Sequence, residues 1–484
     1  MSQARRLLAK YRLREAMATL APHLEAHSDD SEALLIAGQV FEAMGDLQTA
    51  QTHYRSAVAA APGSAEARAR LARSLLALRD LDEAATHLRG ALADAPPSAL
   101  TLATAALYHL QRGRYDLSQQ YADRAVAADP GSKEAALCTA DLRCNRGDLA
   151  GARRVLERLL LDNPADADGL YMMGVVLFNQ RDFLQAQTYL ERSSGLNAFA
   201  AGVLRDLAHV YIQNGQLEQG LTALDRVLER VPGDASALSM RSCLVERIEL
   251  VRRGVQTQIG AFHFVHSPEL GRQVLDGIAA LFQEAYTIVC PQLGGFPTRV
   301  DVWIFDQTSG QLPAYYNHLN DEIVVSRKYF SNLGNPAQRR IGRHLVLHEF
   351  THLVAYQKLG KPAFTTRSLW LMEGLAERMA GGYEYADVEV PWLFRDGLLD
   401  FSALAEQLPV SAVGSSQARA KAYVQAFLMV DWLFRRPDPL SLFAKMIADY
   451  SAGKSDLEIT EGQLNLTPDA VLGQVAGHIR TLSN

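Results

Sequence analysis

His348-Glu349-Phe350-Thr351-His352 sets two imidazoles four residues apart, inside a run from Ile341 to Tyr356 whose apolar residues recur at helical spacing. Both rings then project from one helical face, close enough to hold a single ion, with a glutamate beside them. Beyond His352, the stretch Leu369-Trp-Leu-Met-Glu-Gly-Leu-Ala-Glu377 also reads as a helix, with Glu373 and Glu377 one turn apart on an otherwise apolar face. A buried carboxylate pair is costly unless a cation or donor compensates it. A metal answers that need: Glu373 supplies a third ligand, and Glu377 accepts the N–H of a ligating histidine. The alternative for Glu377 is a solvated surface position. His344 is also four residues from His348, but Leu345 follows it, so it reads as a peripheral histidine on the same face.

These residues sit in the second half of the chain. Ala261–His266 and Arg299–Phe305 read as strands, separated by a helix from about Pro268 to Cys290, and Glu322–Ser326 is a short third strand. After Ala337 the pattern is helical, broken by glycines and prolines. With strands early and helices late, this half is α+β.

The first half obeys another rule. Pro62, Pro96, Pro130, Pro164 and Pro232 share a register of 34 residues, with Ala198 in the slot that lacks proline. Three more columns keep the same phase: Gly38, Ala72, Ala106, Ala140, Gly174, Ala208; then Gly45, Arg79, Gly113, Gly147, Arg181, Gly215; then Ala50, Ala84, Ser118, Ala152, Ala186, Gly220. Columns in phase over six periods mark a repeat array. Small residues let paired helices approach, the mostly glycine column reverses the chain, and proline stops the second helix. Leu34, Phe41 and Tyr54 fill the stack between pairs. The pattern resembles the tetratricopeptide repeat, with six repeats over about 31–234 and Leu34 where the family has tryptophan. A partial repeat precedes them, and a terminal helix through Arg253 is expected to cover the open end. The resemblance implies a solenoid over 1–253 whose concave face holds a protein partner.

The histidine–glutamate helix followed by Trp370–Glu377 is similar to the gluzincin metallopeptidases, most of all to the peptidase-MA-like domains that accompany tetratricopeptide repeats. The likeness implies a thermolysin-like zincin over 254–484: a small mixed sheet, then helices. It further implies zinc on His348, His352 and Glu373, Glu349 as general base, and hydrolysis of peptide bonds. Tyr423 falls near a tyrosine slot of the pattern, with Tyr383 and Tyr385 as further candidates for the oxyanion donor; a core tyrosine is the alternative. Glu322, Ile323, Val324, Val325 and Ser326 are expected to form the sheet edge that receives substrate as an added strand. Twenty residues separate His352 from Glu373, against 18 in many aminopeptidase relatives, and the Gly-x-Met-Glu-Asn segment that grips a free amine is replaced by Tyr315–Asp321. Endopeptidase activity is therefore favoured over aminopeptidase activity. Two other readings stay open: a catalytically silent adaptor, and a zinc enzyme acting on a non-peptide bond.

Composition narrows the partners. Of 484 residues, 48% are apolar and 21% charged, with a formal net charge of −6. That mild acidity argues against nucleic acid. No uncharged apolar run is long enough to span a membrane, and Met1–Leu20 lacks the apolar core of a signal peptide. Four cysteines are too few for a disulfide framework, so a cytoplasmic location is expected. Cys138 and Cys144 read as buried small residues, Arg435-Arg436 as the end of a helix, and Asp387–Glu389 as a solvated loop.

Overall fold

The computed structural model describes residues 1–93, 96–197, 199–306, 314–317, 320–359, 368–382, 397–408, 416–452 and 454–482. They fall into two units, Met1–Asp234 and Ala235–Asn484.

In the first unit α1 (Ser2–Ala9) and α2 (Leu13–Ala26) lead into six helical pairs. These are α3 (Ser31–Ala43) with α4 (Leu47–Ala60), α5 (Ala65–Ala77) with α6 (Leu81–Leu92), and α7 (Ala99–Gln111) with α8 (Tyr115–Ala128). Then come α9 (Lys133–Asn145) with α10 (Leu149–Asp162), α11 (Ala167–Asn179) with α12 (Phe183–Leu196), and α13 (Ala201–Gln213) with α14 (Leu217–Arg230). The columns of small residues are packing sites. A Cβ on Gly38 would run into the Tyr54 ring, and one on Gly174 into Leu190. Ser118 occupies an alanine slot by donating its hydroxyl to Ala106 O at 2.8 Å.

The reversal between paired helices is left-handed in all six repeats. φ is 80° at Gly45, 68° at Gly113, 78° at Gly147 and 74° at Gly215, but also 60° at Arg79 and 64° at Arg181. The next residue caps the second helix where it is aspartate: Asp46, Asp80, Asp148 and Asp182 each accept a backbone N–H from three residues on. The array also closes on its own beginning. Asn197 donates Nδ2 to Ala43 O at 2.9 Å, Tyr11 Oη accepts from Ala167 N at 3.1 Å, and Phe199 packs against the apolar cluster shared by α1, α2 and α3.

The second unit starts with α15 (Ala235–Arg253) and a sheet of β1 (Val255–Ile259), β2 (Phe262–His266), β3 (Val300–Phe305), β4 (Ala314–Asn317) and β5 (Glu322–Ser326). Their order is β1-β2-β3-β5-β4, parallel from β2 through β5 and antiparallel at both ends. One face packs Phe264, Val302, Ile323 and Val325 against α16 (Arg272–Leu293) and α17 (Pro336–Lys358). The other packs Val265, Phe305 and Val324 against Leu250 and Cys243 of α15. The helix expected to cap the solenoid thus groups with the sheet.

An ion pair locks it there. Arg247 of α15 reaches Glu322 of β5 through two bonds of 2.6 and 2.8 Å and lies over the Trp303 ring, with Glu322 nearly inaccessible. The expectation that β5 forms the sheet edge is therefore corrected: β5 lies between β3 and β4, buried on both faces, and β4 borders the sheet on that side. Burial on both faces explains the unbroken apolar run Ile323–Val325.

Two consequences are measurable. Arg247→Ala leaves the Glu322 carboxylate buried without its cation, at a cost of about 3–5 kcal/mol to the second unit, read as an earlier urea transition; an unchanged transition would show that water reaches Glu322. Arg79→Gly relieves a left-handed side chain and is expected to raise the stability of the array by about 0.5–1 kcal/mol. A lower urea midpoint would assign Arg79 a stabilising contact instead.

Candidate metal centre

Asn335 starts α17 by accepting the N–H groups of Ala337 and Gln338, with Pro336 at the first helical position. Val346, Leu347, Phe350, Leu353 and Val354 are buried in the core of the second unit, which leaves His344, His348 and His352 one turn apart on another face. Against that face runs α18 (Leu369–Ala380), ending at Gly381 with φ 101°. Behind α18 lies the helix Ser416–Leu433, so close that a Cβ on Gly374 would collide with the carbonyl of Ala426 and with Val430. Gly374 is what lets α18 sit flat between the two helices.

Glu373 and Glu377 enter between the histidines. His348 Nε2 is 3.1 Å from His352 Nε2 and 3.3 Å from Glu373 Oε2, and His352 Nε2 is 3.6 Å from Glu373 Oε1. On its other side, His348 Nδ1 is 3.0 Å from Glu377 Oε1, while Glu377 Oε2 is 3.4 Å from His344 Nε2. His344 is therefore a partner of Glu377, a role that its i, i+4 spacing from His348 foreshadows and that the missing adjacent carboxylate obscured.

Charge is concentrated here under burial. Burial alone would keep His348 neutral, but the carboxylates of Glu373 and Glu377 outweigh it and hold the imidazole well above its ordinary value. Burial would likewise raise both carboxyls, yet His352 and His348 hold Glu373 well below the usual range, and His344 and His348 do the same for Glu377. Two imidazole nitrogens 3.1 Å apart need something positive between them, either a shared proton or a cation. Donors around one tetrahedral zinc at about 2.0–2.1 Å stand about 3.3–3.5 Å from one another. The two imidazole nitrogens at 3.1 Å are spaced for that set, and each meets a different oxygen of Glu373, His348 at Oε2 (3.3 Å) and His352 at Oε1 (3.6 Å), so the carboxylate as a group supplies the third donor. A second trio, His344, His348 and Glu377, also lies within 4.8 Å. It shares His348 but uses Nδ1, the nitrogen pointing away from His352.

Glu349 lies at the border with the sheet, where its Oε2 accepts the backbone N–H of Tyr316 on β4 at 2.8 Å. Sequence reasoning missed this neighbour because a four-residue strand gives little periodic signal. Tyr423 is half-buried on the helix Ser416–Leu433, its ring against the core. Tyr383, Tyr385 and the tract Asp387–Glu389 lie outside the described residues.

Known proteins speak to the first unit. A family model described as tetratricopeptide repeat matches residues 42–107, 109–174 and 177–242, so this unit is a tetratricopeptide-repeat array. Among solved structures, the APC/C hetero-tetramer Cut9-Hcn1 is 16% identical over 50% of this chain and 48% of that one, with a TM-score of 0.37. The chain thus spans about half the length of that protein. A tetratricopeptide repeat protein from Parabacteroides merdae is 16% identical over 50% of this chain and 96% of that one, at a TM-score of 0.36. Pseudomonas aeruginosa pilF is 18% identical over 44% and 96%, at 0.31. No curated protein matches the chain by sequence. Among the described residues, no helix is long and apolar enough to cross a membrane.

Gly374→Ala tests how α18 is placed. The added methyl must displace the Ala426 backbone, at a cost of about 1–3 kcal/mol. It should also weaken zinc uptake by moving Glu373, measured by competition with a chromogenic chelator. Unchanged stability and uptake would mean that α18 has room to shift.

Proposed function

We propose that the chain is a protein-binding repeat array joined to a zinc-dependent peptidase, with endopeptidase action favoured. The single observation that carries the catalytic half is the convergence of His348, His352 and Glu373 with Glu349 next in sequence. Zinc held by those three side chains would supply Lewis acidity and lower the pKa of a water to about 7. Glu377 accepts from His348 Nδ1, which fixes the tautomer and turns Nε2 inward. Glu349 is the base: Tyr316 N–H steadies one carboxylate oxygen, and the other takes the proton from the attacking water and returns it to the leaving amine. The strand that borders this base is β4, so an extended substrate would pair there instead of on β5. Tyr423 is our candidate donor to the developing oxyanion.

The repeat match favours a second reading, an adaptor whose second unit binds without turnover. Tetratricopeptide repeats speak for a protein partner and say nothing of hydrolysis. Zinc content by plasma emission, followed by cleavage of denatured casein, separates the two. Glu349→Gln should keep its zinc and lose about 10²–10⁴-fold in turnover, while His352→Ala should lose metal and activity together. Wild-type protein that binds zinc and cleaves nothing is the adaptor. Wild-type protein that binds no zinc removes the hydrolase reading.

A further inference from the structure

The inner face of the repeat array holds a candidate site separate from the histidine–glutamate cluster. Closure of α1 and α2 onto the fifth repeat leaves a cavity of about 700 Å³, lined by Glu42, Arg73, Lys133, Glu134, Asp166 and Asp168 among others. A recess of about 200 Å³ adjoins it, and Arg73 and Glu134 line both. The recess has apolar walls, formed by Leu100, Ala103, Leu107, Leu137 and Met172, and one further charged group, Asp141.

Charge is matched in the wide cavity and unmatched in the recess. Lys133 Nζ lies 3.0 Å from Asp166 and 2.5 Å from Asp168, and Arg73 lies 3.4 Å from Glu42. Asp141 has no ion-pair partner among the described residues. Its Oδ1 accepts from Asn145 Nδ2 at 3.0 Å, which leaves Oδ2 for a ligand. Burial pushes the Asp141 carboxyl up to about 6, the response of a carboxylate held among apolar groups without a cation. Arg73 is already engaged by Glu42, so Glu134 and Asp141 leave the recess negative, with Asp141 the carboxylate among its apolar walls.

Size and geometry select the ligand. Pockets for small molecules run to about 300–1,000 Å³, so this recess suits one side chain. A guanidinium binds best through both oxygens of a carboxylate, whereas an ammonium is a compact point charge on a four-carbon stem. Because Oδ1 already accepts from Asn145, a bidentate guanidinium would have to share that oxygen, whereas an ammonium can bond to Oδ2 alone.

We propose that the recess takes a lysine side chain of a protein partner seated on the inner face of the array, its stem between Leu107 and Met172 and its ammonium on Asp141. The proposal rests on the protein-binding reading of the repeats and is independent of any hydrolysis by the second unit.

Calorimetric titration of the full-length protein tests it, using a pool of short peptides with a central lysine, the same pool acetylated at that lysine, and a pool with central arginine. The free-lysine pool should bind about tenfold tighter than either of the others, as charge-assisted hydrogen bonds allow. The isosteric Asp141→Asn should abolish that preference while keeping the wild-type circular dichroism. Met172→Trp, which fills the recess, should weaken the lysine pool selectively. Equal binding of all three pools would overturn the lysine site and leave peptide binding by the array intact. Binding of none would overturn both.

Discussion

Two carboxylates on an apolar helix set the terms for the second unit. Glu373 and Glu377 ride on α18 among Trp370, Leu371, Met372, Leu375 and Met379, and Glu377 is only 2% exposed. Left alone in such surroundings, each would cost several kcal/mol, by the ~several-kcal penalty for an uncompensated buried ion. The histidines of α17 recur with the same period, so the facing side chains alternate: His344, Glu377, His348, Glu373, His352. Both helices rise about 5.4 Å per turn, and a slip of one turn would exchange a histidine neighbour for Arg340 beside Glu377 or for Tyr356 beside Glu373. This ladder fixes the register of α17 against α18, and Gly374 keeps α18 close to the helix behind it. The contacts that would hold a cation are thus the contacts that pack the two helices, so any metal bound there would add to the stability of the unit.

Much of this was legible in the sequence, for different physical reasons in the two halves. Six copies of one pattern average out local accidents, so the columns named the packed small residues and the left-handed reversal before any coordinates. The four residues His348, His352, Glu373 and Glu377 were legible as a group because helical spacing converts directly into a shared face. Strand order was not legible. A run such as Ile323–Val325, apolar at consecutive positions, indicates a strand covered on both sides, and taken that way it would have excluded β5 as an edge. β4 escaped notice because four half-buried residues carry little alternation, and β1 because its β-branched residues Val255, Thr257 and Ile259 alternate with glutamines over five residues only. The attachment of α15 to the sheet depends on Arg247 and Glu322, which are 75 residues apart. No periodic rule links such a pair.

In the array, the positions that fail to repeat carry as much meaning as those that do. Columns built on glycine, alanine and proline serve the stack, and every repeat must satisfy the same steric demand. Gln39, Arg73, Leu107, Asp141, Val175 and His209 also share the period of 34, yet the residue type changes at every step. The first four of these line the inner cavity or its recess. A position that bears on packing is constrained to one size, whereas a position that faces an enclosed ligand space is free of that demand and can differ from repeat to repeat. Arg73 and Asp141 place a cation and an anion in this column two repeats apart, with uncharged side chains at the neighbouring positions, which gives the concave face a fixed order of side chains along its length. A partner is then distinguished by the order of its side chains as much as by their sum, and the unmatched carboxylate at Asp141 is the point in that sequence where the array lacks a counter-charge of its own.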